Sequence, residues 1–100
     1  MLEEVKLIGK SLKMIRVGKG LGQRDVAKAL DLSQTHLSNM ESGRSMISMT
    51  NLLKMRKLYG CTMNEIFSDL DRYELEEKTK ISIDDLRKLT ALLHKSKSLQ

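Results

Sequence analysis

The sequence predicts an all-α fold, with five short helices in one domain and an additional helix at the C-terminus. Three observations carry that prediction. Apolar residues recur three and four apart in one stretch after another, the mark of a helical face. Those stretches tend to open on Ser or Thr and to close on Gly, residue types that cap helix ends. Two of them, inside QRDVAKALDLSQTHLSNMESGR (23–44), are short and joined by a tight turn.

Each element can be justified in order. The first helix, 3–17, carries Val5, Ile8, Leu12 and Ile15 as an apolar stripe, with Glu3 and Glu4 at its positive end. Lys6, Lys10, Lys13 and Arg16 lie off the stripe, either as a solvated face or as contacts to a phosphate backbone. Gly18-Lys19-Gly20 ends the helix, and Leu21 is expected to point back to the core. Gly18-x-Gly20-x-Gly22 follows a helix and not a strand, so it reads as a cap and loop and not as a phosphate cradle. The second helix, 23–30, presents Val26, Ala27 and Leu30. Asp31 sits in the turn, where a left-handed backbone is often needed, and Asp tolerates that better than most non-glycines.

Ser33 is placed to cap a third helix that runs to Ser42, with Gly43 as its stop. Only Leu37 and Met40 are apolar there. The opposite face holds Gln34, Thr35, Ser38 and Asn39 where a surface helix usually carries Lys and Glu. Amides and hydroxyls donate and accept, which is what reading base edges in a major groove requires.

After the connector 43–47, Ser48 caps a fourth helix, 49–59, with Met49, Leu52, Leu53 and Met55 expected inward and Gly60 at its end. Thr62-Met63-Asn64-Glu65 has the form of a capping box. It opens a fifth helix that buries Met63, Ile66, Phe67 and Leu70. Residues 69–81 are acidic and read as a connector or an extension of that helix. Ser82-Ile83-Asp84-Asp85 is a further N-terminal signature. The helix that follows carries Ile83, Leu86, Leu89, Leu92 and Leu93. Leu86–Leu89–Leu93 covers barely two heptads, too few for an autonomous coiled coil. Such a strip must cover its own domain or its copy in a second chain.

Composition narrows the function. One hundred residues make one domain with a short appendage. With one Phe, two Tyr, no Trp and seven Met, the core is aliphatic. The net charge is +5, and it is uneven. Residues 1–68 carry eleven basic and six acidic groups, 69–81 three and five, and 82–100 four and two. The part that seeks an anion is therefore 1–68, and nucleic acid comes before a membrane surface. No apolar run approaches the roughly 18 residues of a membrane span. The N-terminus lacks the apolar region of a signal peptide, so a soluble cytoplasmic protein is expected. Cys61 is alone and reads as a small buried hydrophobe. His36 and His94 have no ligand-spaced Cys or acid near them, so no metal and no cofactor is expected. Nothing orients Cys61 and a histidine as a catalytic pair, so an enzyme is not expected.

Residues 8–67 resemble the Cro/XRE, lambda-repressor-like helix-turn-helix family. The resemblance rests on Leu21-x-Gln23, Val26-Ala27, Leu30-x-Leu32-Ser33, Leu37-Ser38, Glu41-x-Gly43-Arg44, Leu52-Leu53 and Glu65-Ile66-Phe67, with spacing kept without gaps. It implies a five-helix lambda-repressor-like DNA-binding domain over 1–68, followed by the connector 69–81 and the C-terminal helix 82–100. It also implies roles. Gln34, Thr35 and Asn39 match base-facing positions, and Ser38, on the same polar face, matches one nearer the backbone, as does His36. Gln23 matches a glutamine that touches phosphate and braces the recognition helix. Ser42, Gly43 and Arg44 match the loop whose N–H groups and basic side chain hold phosphate. Arg16 and Glu41 match an ion pair that ties helix 1 to helix 3.

The chain departs from the family pattern at several positions. Gly22 stands where a Thr or Ser cap is usual, Asp31 where a turn glycine is, and Ile47 where a Pro is common. Arg56 stands where a small buried residue is usual, and its stem is expected to snorkel outward.

The function implied is sequence-specific binding of double-stranded DNA in transcription control, as a repressor that binds a two-fold operator as a homodimer. Ile83, Leu86, Leu89 and Leu93 are the candidate dimer contacts. Two other readings stay open. An antitoxin would use residues 69–100 to bind a toxin and would regulate its own operon. A helical adaptor would bind protein without reading DNA.

Overall fold

The computed structural model describes residues 2–79 and 83–98, with side chains through residue 77 and at residues 85 and 87–93. The described residues form six helices: α1 (Glu3–Gly18), α2 (Gln23–Ala29), α3 (Gln34–Ser42), α4 (Met49–Tyr59), α5 (Met63–Thr79) and α6 (Ile83–Ser98).

The helix ends follow local chemistry. The Ser33 hydroxyl accepts from the His36 N–H at 3.0 Å, and the Ser48 hydroxyl accepts from the Asn51 N–H at 3.1 Å. Both satisfy orphan donors of a first turn. Thr62 and Glu65 close a reciprocal capping box, with both bonds at 3.1 Å. Gly22 caps α2 with backbone alone. Asp31 is left-handed, at φ 58°, and lets the Leu32 N–H reach back to the Ala27 carbonyl at 2.8 Å.

α1 packs along α5 and α3 and touches α4, while α2 packs on α3. Leu12, Val26, Ala27, Leu30, Leu37, Met40, Leu52, Met55, Tyr59, Cys61 and Ile66 form one buried core. Burying each Leu or Met contributes roughly 1.5–3 kcal/mol. Gly9 marks a close helix approach. A Cβ there would lie 2.3 Å from the Met40 carbonyl oxygen, so α1 crosses the C-terminal turn of α3 through a position only glycine fits.

Several sequence expectations need correction. Met49 is 65% and Leu53 44% exposed, so only Leu52 and Met55 of the four expected inward residues are core. The bundle buries a narrower stripe of α4 than the run of apolar residues suggests. Met49 lies instead with Met46, Val5, Ile8, Ile47, Leu52 and Phe67 around an apolar hollow of about 220 Å³. Arg56 is only half-buried, but its Nε is enclosed with no hydrogen-bond partner among the described residues. Snorkelling frees the end of this side chain and not its neck.

α5 continues unbroken from Met63 to Thr79, so the acidic stretch is helical over 69–79. No Gly or Pro lies between Met63 and Thr79, so no helix breaker interrupts it there. The Ser82 cap and the side chains of Ile83 and Leu86 lie outside the described residues. On α6, Leu89, Leu92 and Leu93 are 52%, 63% and 67% exposed.

Candidate nucleic-acid interface

The interface is built on α3, and a buried polar layer holds that helix in place. The Arg16 guanidinium grips the Glu41 carboxylate through two bonds, Nε to Oε2 at 2.7 Å and Nη2 to Oε1 at 3.1 Å. Its third nitrogen donates to the Leu21 carbonyl at 2.8 Å, and the Leu21 N–H returns to the Arg16 carbonyl at 3.1 Å. Arg16 therefore ties α1, the 19–22 loop and α3 together. Both partners are nearly solvent-free, at 7% and 4% exposure. The hydrogen bonds to Glu41 hold the Arg16 guanidinium protonated more firmly than usual, against the opposing effect of burial. Arg16 is thus engaged inside the fold and is not one of the free basic groups of α1.

The layer extends outward. Gln23 Nε2 donates to Glu41 Oε1 at 3.0 Å, and Gln34 Nε2 donates to Gln23 Oε1 at 3.3 Å. Gln23 thus sits half-buried between the ion pair and the first turn of α3. Gln34, Thr35 and His36 are exposed, while Ser38 and Asn39 are half-exposed one turn on. Gln23, Gln34, Thr35, Ser38, Asn39 and Arg44 line a single open depression. Its lining is made of neutral donors and acceptors together with one guanidinium.

The loop after α3 differs from expectation. Its N–H groups are turned inward: Gly43 donates to the Met40 carbonyl at 3.2 Å, and Arg44 and Ser45 donate to the Asn39 carbonyl at 2.9 and 3.2 Å. The Ser42 hydroxyl also donates to the Asn39 carbonyl, at 3.2 Å. These donors close the helix end, so they are not turned toward a phosphate. Gly43 is itself buried. It is left-handed, at φ 79°, and a Cβ there would lie 2.8 Å from Lys6 Cα. Its role is to let α1 lie against the loop, and what this loop offers outward is the Arg44 side chain. The same contact brings exposed Lys6 beside the loop, which helical spacing alone did not single out among the basic residues of α1.

Other groups lie away from this face. Cys61 is in the core, and burial, with Glu65 adding, pushes its thiol up and away from a reactive thiolate. Tyr59 is also buried. Burial, with Glu41 adding, raises its hydroxyl to about 12. Among the described residues no group of three His, Cys, Asp or Glu side chains is placed to hold a metal, and no helix is long and apolar enough to cross a membrane.

The comparisons with known proteins agree with this geometry. A helix-turn-helix family model matches residues 12–66. The control protein C.MunI of Mycoplasma sp. is 34% identical over 73 residues, spanning 71% of this chain and 99% of that protein. The crystal structure of the restriction-modification controller protein C.AhdI from Aeromonas hydrophila is similar at 26% identity and a TM-score of 0.61, covering 66% of this chain and all of that one. The clp gene regulator ClgR from Corynebacterium glutamicum shares the fold over 93% of this chain and 96% of its own, with a TM-score of 0.68 at 22% identity. The chain belongs to the Cro/XRE-type helix-turn-helix family of DNA-binding transcriptional regulators.

Proposed function

We propose that this regulator reads a specific DNA sequence with α3 and represses by occupying a two-fold operator as a homodimer. The observation that carries the reading is the gathering of Gln34, Thr35, Ser38 and Asn39 on one open face beside Arg44. Gln34 and Asn39 suit bidentate pairing with adenine, and the Thr35 methyl suits contact with a thymine methyl. Arg44, Lys6 and His36 add affinity along the phosphate backbone with little sequence preference. Gln23 both braces α3 and lies close enough to its first turn to share a phosphate.

A single module of this size buries too little surface for tight specific binding, which favours two copies. The half-sites would be centred ~34 Å apart, one turn of DNA. In this reading residues 1–68 bind DNA, 69–81 form an acidic spacer, and 82–100 are the dimer arm. Exposed Leu89 and Leu93 support that arm, with Ile83 and Leu86 as its other contacts. The near-complete coverage of C.MunI and C.AhdI supports a regulator of the controller kind.

Selecting bound sequences from a random DNA pool tests this, with the mass of the complex measured on the winner. The expected result is an inverted repeat with half-sites one turn apart and two chains per duplex. A pool that stays random would refute base reading, and one chain per duplex would refute the dimer. A small basic protein that co-purifies in place of DNA would favour the antitoxin reading.

A further inference from the structure

We propose that Asp71, Glu74 and Leu75, on the outer side of α5, dock against Lys54, Lys57 and Leu58 of α4 in a second copy of the chain. The two triads share one spacing, i, i+3 and i+4, which puts each on a single helical face. They set opposite charges beside a leucine. Leu58 is 41% and Leu75 62% exposed, and the four charged residues are exposed as well.

The receiving face is a hollow. Ala29 and Leu30 join Lys54, Lys57 and Leu58 around an open space of about 440 Å³. It is apolar at Ala29, Leu30 and Leu58 and cationic at the two lysines, so it suits a leucine flanked by carboxylates. The ridge that fits it is turned away from its own domain. Asp69, Arg72, Tyr73 and Glu76 line a hollow with Leu7 and Lys10 of α1. At 3.6 residues per turn, Asp71, Glu74 and Leu75 lie about half a turn round the helix from those four. In the folded chain the two faces are not joined, since no residue of α5 lines the α4 hollow. A two-fold dimer lets each copy give its ridge and receive its partner's, so the contact is made twice. Residues 82–100 carry four basic and two acidic groups, so the leucines of α6 match this lysine-edged hollow less well. Exposed ion pairs are individually weak. Between copies already held by their arms, however, a contact needs little affinity of its own.

The inference rests on the proposed homodimer and not on base reading. Sedimentation equilibrium of the full chain without DNA measures it through the dimer dissociation constant. Lys54→Glu/Lys57→Glu and, separately, Asp71→Lys/Glu74→Lys are each expected to weaken the dimer roughly tenfold, what a few exposed ion pairs supply together. The first pair is decisive. It lowers the net charge of +5, which by general repulsion alone would tighten the dimer. An equimolar mixture of the two variants sets opposite charges together again across unlike copies. It is expected to dimerise within about threefold of the unaltered chain. Leu75→Ser tests the apolar part without changing charge, with an expected loss of roughly threefold or more, and it decides alone if a charge reversal unfolds the chain. Lys54→Glu/Lys57→Glu or Leu75→Ser dimerising as tightly as the unaltered chain overturns the contact, as does a mixture that stays weak, and the arm dimer then stands without it. An unaltered chain that is monomeric at every concentration overturns the dimer, and this contact with it.

Discussion

Leu12 and Leu37 are entirely withdrawn from solvent, whereas Leu89, Leu92 and Leu93 stand more than half exposed, although both sets recur at helical spacing. The ionic pairs divide the same way. Arg16–Glu41 is enclosed and bidentate, while Arg72–Asp69, on the extension of α5, has its arginine 68% exposed. In residues 2–67 each element finds a partner surface within the chain. Beyond that, the Ser11 hydroxyl of α1 still donates to Asp69 at 3.3 Å and Arg72, Tyr73 and Glu76 share a hollow with Leu7 and Lys10, while Leu89, Leu92 and Leu93 of α6 are exposed. Periodicity encodes a helix in both regions, but burial depends on whether the chain folds a second surface against it. The exposed leucines of α6 are what the proposed dimer arm rests on.

The largest effect expected from breaking this contrast is at the buried pair. Arg16→Met strands Glu41 in the core and should cost ~3–5 kcal/mol in urea unfolding. The matching change outside, Arg72→Met, should cost less than about 0.5 kcal/mol. Equal losses at the two sites would erase the distinction. Next is Gly9→Ala, whose methyl meets backbone and not a flexible side chain. It should destabilise by about 2–3 kcal/mol by the same measurement, and a neutral result would mean that α1 and α3 are less tightly apposed.

Tyr59 sharpens the comparison through pH. Its hydroxyl titrates near 12 folded and near 10 unfolded, so the folded state holds the proton more tightly. Its contribution is fully present below pH 10 and is lost as pH rises toward 12. Tyr59→Phe should remove that loss and leave neutral-pH stability little changed, since the hydroxyl has no partner among the described residues. An unchanged alkaline decline in the variant would locate the titrating group elsewhere. The smallest effect on stability is expected in the arm. Leu89→Ser with Leu93→Ser should shift unfolding by no more than about 0.5 kcal/mol. The same pair should convert a dimer to a monomer by sedimentation, and an unchanged mass would remove the arm from the interface.

How far the sequence could be read divides along similar lines. Ser33, Ser48 and the Thr62–Glu65 box were legible because each cap bond spans three residues. Asp31 was legible because few other residues accept its backbone. The polar face of α3 was legible as an unusual composition, and only the family resemblance gave its residues roles. Gly9 was silent, since its constraint comes from a helix crossing some thirty residues away in sequence. So was the inward turn of the 43–45 N–H groups, which depends on how α3 ends in three dimensions. Met49 and Leu53 misled because periodicity marks an apolar face without marking its edge. The continuation of α5 past residue 69 could have been found in the absence of any Gly or Pro there.

Base reading by α3 is tested most directly by a competition titration. The full chain binds the operator selected from the random pool while an unrelated duplex of equal length competes, at one fixed salt concentration. The operator is expected to be preferred by at least about 1,000-fold, the lower bound typical of specific over non-specific binding. Equal affinity for the two duplexes would contradict it and leave only a basic surface that holds DNA without reading it.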